Sequence, residues 1–442
     1  MTSSHNTKSQ RLNHTLISAA LLACTALASS AHAATPDPFY SYSGSTPLAS
    51  IPLGTVLKTR TVPYHVAGIQ TAMTAIQLLY RTNNARNEPV VNVTSIIKSS
   101  VSNGKAISYQ SAYDSLNPYD SPSRVIAGDK DISKAFNFGD AIYSAESIPL
   151  AALLQLGYNI IVPDTEGQTA DFAAGPEYGM TTLDSIRAAV NTPSTGLQPA
   201  SKVAMIGYSG GAIATNWASQ LAPTYAPDVN KILVGAAMGG VLVDPAHNLG
   251  YVNGSVVWGG VAPAAIVGLA RAYNIDFTPY LSSKGLAVVS DIQSQSLVYI
   301  LPKYAGLQWA TLLKPQYASD INAIPEYVAA ANKVNAGLAN SPTIPMFIGQ
   351  GYLGVLNGSN PLMFGDGVML ASDVRSLAKK FCTSGTPVQY TEYPADHFGS
   401  VATWAIGMLP WLNDRFAGKT APNNCLLTKL LPSSSLAAET VH

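Results

Sequence analysis

Short, nearly continuous apolar runs alternate with stretches of helical spacing through most of this chain. A strand covered by helices on both faces is apolar throughout, whereas a strand with one solvated face alternates apolar and polar residues. The pattern therefore predicts an α/β fold with a mostly parallel central sheet. The predicted strands are residues 158–162, 203–206, 232–236, 346–348 and a weaker 388–390. The predicted helices between them are residues 180–189, 211–221 and 368–381.

Residues 243–340 interrupt this alternation. They contain Pro263, Pro279 and Pro302, few strand signals, and helix-like stretches such as 283–299 and 318–338. We interpret the segment as a helical cap inserted between two parts of the core, residues 34–242 and 341–425. A helical layer packed on the sheet is the alternative interpretation. Residues 34–50 are expected to form an irregular arm, and residues 426–442 a frayed C-terminal tail.

The first 33 residues have the features of a secretory signal peptide. Lys8 and Arg11 precede a short apolar stretch, residues 16–28, and residues 31–33 form an Ala-His-Ala cleavage site. We therefore expect export and cleavage after Ala33. A lipoprotein cleavage site ending at Cys24 is a weaker alternative. No later run of about 18 apolar residues predicts a membrane span in the mature chain.

Charge and cysteine content indicate which partners and which covalent links the mature chain can have. Loss of Lys8 and Arg11 leaves 23 basic residues against 25 acidic ones, so the mature chain has no basic excess for binding nucleic acid. Cys24 leaves with the signal peptide, so Cys382 and Cys425 are the cysteines of the mature chain. An even pair in an oxidising compartment predicts a disulfide.

The most specific motif is the pentapeptide Gly207-Tyr208-Ser209-Gly210-Gly211. It follows the predicted strand 203–206 and precedes the predicted helix 211–221. A G-x-S-x-G sequence in that context is the nucleophile elbow of α/β-hydrolases. The turn is too tight for side chains at the flanking positions, and it exposes the serine hydroxyl. Ser209 is therefore the candidate nucleophile, although a glycine-rich turn with an incidental serine would have the same sequence.

A serine needs a base to accept its proton, and histidine is the usual one. In α/β-hydrolases the chain order is serine, acid, histidine. Four histidines follow the signal peptide. His65 precedes Ser209 and so does not fit this order. His247 follows Ser209 too closely for a strand that carries the acid to lie between them. His442 lies in the predicted tail. His397 remains as the candidate base, in a loop after the weaker strand; a surface histidine without function is the alternative.

The acid should lie on a loop between Ser209 and His397. Asp366 stands between two glycines after the predicted strand 346–348 and is the candidate. Asp373, in the predicted helix, and Asp396, beside His397, are its rivals. An aspartate at the start of a helix can also serve as an N-cap and nothing more.

An oxyanion formed at the site needs two hydrogen-bond donors. The backbone N–H of Gly210 is the first by geometry, and the residues alone do not identify the second. The chain contains no metal-binding H-E-x-x-H pair, no P-loop and no dinucleotide-binding motif. No cofactor or metal is therefore implied.

The motifs together resemble the secretory lipase family of the Candida antarctica lipase A type. The resemblance covers most of the mature chain and is most specific over residues 157–240. The matching segments are residues 157–158, 162–167, 183–189, 207–212, 223–227, 239–240 and 365–368, together with Cys382 and Tyr393-Pro394. The chain departs from the family in residues 351–365, a longer loop rich in glycine and asparagine.

The resemblance implies an α/β-hydrolase fold and a secreted lipase or esterase that acts on ester or lipid substrates through Ser209, Asp366 and His397. In the family the catalytic aspartate precedes a cysteine by roughly the spacing of Asp366 to Cys382, which supports Asp366 as the acid. The family's second oxyanion element resembles residues 108–114, so the resemblance makes Asp114 the candidate second donor. An acyltransferase or peptidase with the same triad remains an alternative. An inactive hydrolase fold that serves only for binding is another.

Overall fold

The computed structural model describes residues 37–128 and 141–442. The predicted signal peptide, residues 1–33, lies outside the described residues. The chain divides into two units, Met1–Pro38 and Phe39–His442, and the fold described below is that of the second.

The described residues contain a nine-stranded sheet with the strand order β1-β2-β3-β5-β4-β6-β7-β8-β9. Strands β4 to β9 are parallel, and β1, β2 and β3 continue the sheet in antiparallel pairing next to β5. The prediction of a mostly parallel sheet is therefore confirmed. The strands are β1 (Val56–Val66), β2 (Ile69–Asn83), β3 (Pro89–Ile97), β4 (Ala106–Gln110), β5 (Asn159–Pro163), β6 (Val203–Tyr208), β7 (Leu233–Gly239), β8 (Met346–Gly351) and β9 (Val388–Tyr393).

Strands β1 to β4 are not predicted from the sequence. Strands β1 and β2 lie at one edge of the sheet, and exposed residues alternate with half-buried ones along much of β1 and the first part of β2, so the continuous apolar signature is absent there. Strands β3 and β4 are mostly buried, but polar residues interrupt their apolar sequences.

Helices cover both faces of the sheet. They are α1 (Pro122–Ala127), α2 (Ala141–Gln155), α3 (Gly175–Val190), α4 (Gly210–Tyr225), α5 (Pro227–Asn230), α6 (Pro245–Val252), α7 (Val261–Tyr273), α8 (Ser283–Ile292), α9 (Leu297–Lys303), α10 (Pro325–Val334), α11 (Ala371–Thr383), α12 (His397–Phe416) and α13 (Cys425–Thr428). The predicted helix 283–299 is two helices, α8 and α9, separated by a turn. No helix of the described residues is long and apolar enough to cross a membrane.

The core consists of two apolar layers separated by the sheet. Alternate residues of β6 face opposite layers, Val203 and Met205 on one side and Ala204 and Ile206 on the other. Helices α3, α4 and α11 contribute to the first layer, and α2 and α12 to the second. Burial on both faces explains why the sequence of β6 is apolar without interruption.

The chain between β7 and β8 is mainly helical, with α6 to α10 and short turns. Several of its apolar side chains form clusters apart from the two sheet layers, including Val267, Ile292 and Ile300. The same cluster includes Leu116 and Phe172, which precede β7, so the segment packs onto the rest of the fold through these apolar side chains.

Cys382 and Cys425 form a disulfide, with their Cα atoms 5.5 Å apart. The bond joins the end of α11 to the start of α13 and confirms the predicted pair. The expectation of a frayed tail is wrong. Glu439 exchanges backbone hydrogen bonds with the side chain of Asn332, and Leu431 and Leu436 pack against the sheet core. These long-range partners could not be seen in the local sequence.

Candidate active site

Ser209 lies in the sharp turn between β6 and α4. Its backbone has φ 57° and ψ −122°, a conformation that is rare for any residue other than glycine. The Ser209 amide donates a hydrogen bond to the Gly239 carbonyl over 2.9 Å, which fixes the turn against the end of β7. Strain of this kind at a reactive side chain costs about 1–3 kcal/mol and persists only where the surrounding fold holds it.

The glycines on either side of Ser209 are required by close backbone contacts. A Cβ atom at Gly207 would lie 2.2 Å from the Gly211 carbonyl oxygen, and one at Gly211 would lie 2.0 Å from the Gln110 carbonyl oxygen. Both distances are far below van der Waals contact. The turn is therefore as crowded as the sequence motif predicts.

His397 is in hydrogen-bond contact with Ser209. Its Nε2 atom lies 2.8 Å from Ser209 Oγ. The expectation that His397 sits in a loop is wrong, because it is the first residue of α12 and is almost fully buried. The Tyr208 hydroxyl donates to the His397 carbonyl over 2.7 Å, and the edge of Trp258 meets the imidazole at a centroid distance of 5.2 Å. These contacts fix both the backbone and the ring plane.

Asp366 holds the other side of the imidazole. Its Oδ2 atom lies 2.7 Å from His397 Nδ1, and its Oδ1 atom accepts hydrogen bonds from the amides of Val368 and Met369. The Asp366 carbonyl also accepts from the His397 amide over 2.7 Å. Asp366 is not the N-cap of the following helix, since α11 begins at Ala371 and Leu370 is its N-cap.

The two rival carboxylates have other partners. Asp373 accepts hydrogen bonds from His247 Nδ1 at 3.1 and 3.2 Å. It lies in the first turn of α11. Asp396 is the N-cap of α12 and accepts from the Gly399 amide over 2.8 Å. The structure thus brings Ser209, His397 and Asp366 together in one hydrogen-bonded chain.

Asp114 and Gly210 lie next to one another at the start of α4. A Cβ atom at Gly210 would be 1.8 Å from Asp114 Oδ1, so the carboxyl group rests against the Gly210 backbone. Asp114 has a φ of 37°, also unusual for a residue with a side chain. Burial, followed by the negative charge of Glu146, raises the pKa of Asp114 to about 7, against an opposing effect of His397.

Two residues beside the site are not predicted from the sequence. Glu146 of α2 accepts hydrogen bonds from the Ser111 hydroxyl and, over 3.0 Å, from the Ala112 amide, which anchors the loop that carries Asp114. Trp258 contacts His397 from the segment between β7 and β8. Neither residue belongs to a local motif, so only the tertiary structure identifies them.

An apolar pocket lies over Ser209, which forms part of its lining. The helices between β7 and β8 supply most of its wall, including Val261, Ile266, Leu269 and Ala330. Among the described residues that line it, Asp114 is the single ionisable carboxyl and no basic side chain is present. The pocket therefore favours an apolar group over a charged one.

The described residues include one group of three side chains close enough to share a metal ion. Asp244, His247 and Glu439 have ligand atoms within 4.8 Å of one another. The hydrogen bond between His247 and Asp373 is the main cause that raises the pKa of His247 to about 9. Asp244 also accepts a hydrogen bond from Asn335 over 2.8 Å. These side chains therefore already have partners within the protein, and His247 pairs with Asp373 and Asp244.

The chain is similar in sequence to known lipases. The family model for secretory lipases matches residues 137–424. A probable inactive lipase of Mycobacterium tuberculosis is 30% identical over 87% of this chain and 82% of its own length. Lipase 9 of Candida albicans is 27% identical over 88% of this chain and 84% of its own.

Solved structures extend the similarity to the fold. Candida antarctica lipase A in its closed state superposes with a TM-score of 0.75 and 27% identity, covering 90% of this chain and 89% of that one. A rice cell wall degrading esterase from Xanthomonas oryzae, at 15% identity and a TM-score of 0.62, shares the fold alone. The α/β-hydrolase prediction is thus confirmed, and the chain belongs to the secretory lipase family.

Proposed function

We propose that this protein is an exported serine hydrolase that cleaves carboxylic esters, with Ser209 as the nucleophile. The observation that carries the proposal is the hydrogen-bonded chain from Asp366 through His397 to Ser209, with distances of 2.7 and 2.8 Å. A buried acid that orients a histidine, which in turn contacts a serine hydroxyl, is the arrangement that activates that hydroxyl for acyl transfer.

In the proposed mechanism, Ser209 Oγ attacks the ester carbonyl while His397 Nε2 accepts its proton. His397 then donates that proton to the departing alcohol, which leaves an acyl group on Ser209. Water then attacks the acyl carbonyl while His397 accepts a proton from it. His397 returns that proton to Ser209 Oγ as the bond between Ser209 and the acyl group breaks, which releases the carboxylic acid. Asp366 holds the imidazole with Nε2 free to accept, and its charge stabilises the imidazolium formed at each step.

We propose that the oxyanion of the tetrahedral intermediate binds to the Gly210 amide and to the protonated side chain of Asp114. The amide lies at the N-terminus of α4, where the helix dipole favours negative charge. A carboxyl group whose pKa is raised to about 7 is substantially protonated at neutral and acidic pH, and in that form it can donate a hydrogen bond.

The pocket supports an ester with an apolar acyl chain as the substrate. The described residues that line it include no basic group for a substrate carboxylate or phosphate, and their aliphatic side chains suit a hydrocarbon chain. A lipase or esterase fits this lining better than a peptidase. An acyltransferase would form the same acyl-enzyme, and only the acceptor, alcohol in place of water, would differ.

One relative is called a probable inactive lipase, so an inactive binding protein is the competing proposal. A fluorophosphonate probe should label the purified protein at Ser209 and leave Ser209→Ala unlabelled. Ser209→Ala should also lower kcat on p-nitrophenyl butyrate by about 10⁶-fold, as triad removal does elsewhere. A wild-type protein that neither reacts with the probe nor hydrolyses esters would support the inactive protein.

A further inference from the structure

We propose that an apolar rim beside the candidate active site docks the enzyme onto an uncharged lipid–water surface. The apolar rim consists of Val256, Val355, Leu356, Leu362, Phe364 and Phe398. This inference rests on the proposed function and names the physical state of the substrate, an ester aggregated at an interface.

The side chains of the apolar rim are unusually exposed for their size. Leu356 is 89% exposed, Leu362 88% and Phe364 68%. Isolated apolar residues on a surface need no explanation, but several on one short loop indicate contact with something apolar. All three lie in residues 351–365, the loop in which this chain departs from the family pattern.

The exposure does not arise from a loosely attached loop. The Leu353 amide donates to the Ala395 carbonyl over 3.1 Å, and the Gly354 amide to the Gly365 carbonyl over 2.9 Å. At the loop's centre, the Asn357 carbonyl accepts from the Ser255 hydroxyl over 2.8 Å. The backbone is therefore held at both ends and in the middle while its large apolar side chains face outward.

The apolar rim is continuous with the site through Trp258. This side chain lines the pocket and meets the imidazole of His397. Its ring also stacks on Phe398 at a centroid distance of 5.2 Å and an interplanar angle of 22°. A surface that takes up the apolar rim would therefore lie next to the catalytic groups, and an ester could pass from it into the pocket without crossing water.

The lack of charge identifies the occupant. Residues 351–365 contain no Asp, Glu, Lys, Arg or His. Proteins attracted to anionic membranes carry clustered lysines and arginines, each of which contributes about 1 kcal/mol near the surface. A loop without lysine or arginine matches an uncharged ester surface, where the strength of binding increases with the apolar area that is inserted.

The experiment measures flotation with a triolein emulsion, using the Ser209→Ala protein so that binding is independent of hydrolysis. Adding Leu356→Ser, Leu362→Ser and Phe364→Ser should weaken binding to the emulsion by about tenfold or more. The matched control carries Ile69→Ser, Val101→Ser and Leu430→Ser, which remove three exposed apolar side chains from other parts of the surface. It should bind within about twofold of its parent.

The same triple substitution with Ser209 intact should leave kcat/KM on dissolved p-nitrophenyl acetate, and the rate of fluorophosphonate labelling, within about twofold. If the triple variant does not fold, Leu356→Ser alone tests the same direction.

Unchanged emulsion binding of the rim variant, equal losses in the control, or a requirement for anionic phospholipid would each overturn the proposal. So would a dimer, detected by light scattering, that the rim substitutions dissociate, because a second copy would then cover the surface. Absence of fluorophosphonate labelling would instead refute the proposed function, since the flotation measurement needs no catalysis.

Discussion

Replacing Asp366 with asparagine separates the charge of this residue from its structural contacts. The Oδ1 atom accepts from the amides of Val368 and Met369, and an asparagine oxygen can accept both bonds. The Oδ2 atom accepts from His397 Nδ1, and an amide nitrogen in its place can only donate. The imidazole must then present a bare Nδ1 to the amide and carry its proton on Nε2, which faces Ser209.

This tautomer cannot accept the serine proton. In a serine protease the equivalent substitution lowers kcat by about 10⁴-fold, which corresponds to about 5 kcal/mol of transition-state stabilisation. We expect a loss of that size in kcat on p-nitrophenyl butyrate. The free energy of unfolding should change by no more than about 1 kcal/mol, because the two backbone hydrogen bonds survive and the side chain is nearly isosteric.

Asp373→Asn is the matched control. Its carboxylate pairs with His247 and not with His397. Activity should therefore stay within about twofold of the wild type. The free energy of unfolding at pH 6 should fall by only about 1 kcal/mol, because His247 is partly exposed and water screens its ion pair with Asp373. Asp366→Asn with near-normal kcat and an unchanged melting temperature would refute the assigned acid.

Three further predictions follow from the described contacts. If protonated Asp114 donates to the oxyanion, kcat/KM should fall as pH rises through about 7. The Asp114→Asn variant should not show this decline, because its amide donates at every pH. A wild-type pH profile without the decline would exclude Asp114 as an oxyanion donor. Replacing Cys382 and Cys425 with alanine should lower the free energy of unfolding by about 4 kcal/mol in the chain-entropy model for a 43-residue separation, measured by urea denaturation; an unchanged midpoint would contradict this. His247, with a folded pKa raised to about 9, contributes stability that is complete below about pH 6.5 and lost as pH rises through about 9, so His247→Gln should destabilise the protein at pH 6 and hardly at pH 10, whereas an equal effect at both would indicate packing alone.

The sequence predicted those parts of the fold whose environment is uniform. Strands β5, β6 and β7 are covered on both faces, so their sequences are apolar throughout. The turn at Ser209 was predictable because backbone crowding excludes side chains at Gly207 and Gly211. These positions carry a sequence pattern that reports their surroundings, and the structure agrees with the expectation at each.

Other features depended on partners distant in the sequence. The spacing of Val368 with later apolar residues suggested a helix that begins near Asp366, but the Asp366 amide donates to the Met369 carbonyl in a turn and the helix begins at Ala371. The burial of His397 depends on Tyr208 and Trp258, neither of which is near it in the chain. The polar C-terminal residues were taken for a frayed end because Asn332, their partner, is about a hundred positions away.

The hydrogen bonds between the Asp114 loop and the start of α9 have a consequence for protein engineering. The Leu297 amide donates to the Asp114 carbonyl, and the Leu116 amide to the Gln295 carbonyl, both over 3.0 Å. A chimera that exchanges the helices between β7 and β8 with those of a relative would sever this ladder and release the loop that carries Asp114. Residues 111–116 and that helical segment should therefore be transplanted together, so that these hydrogen bonds are kept.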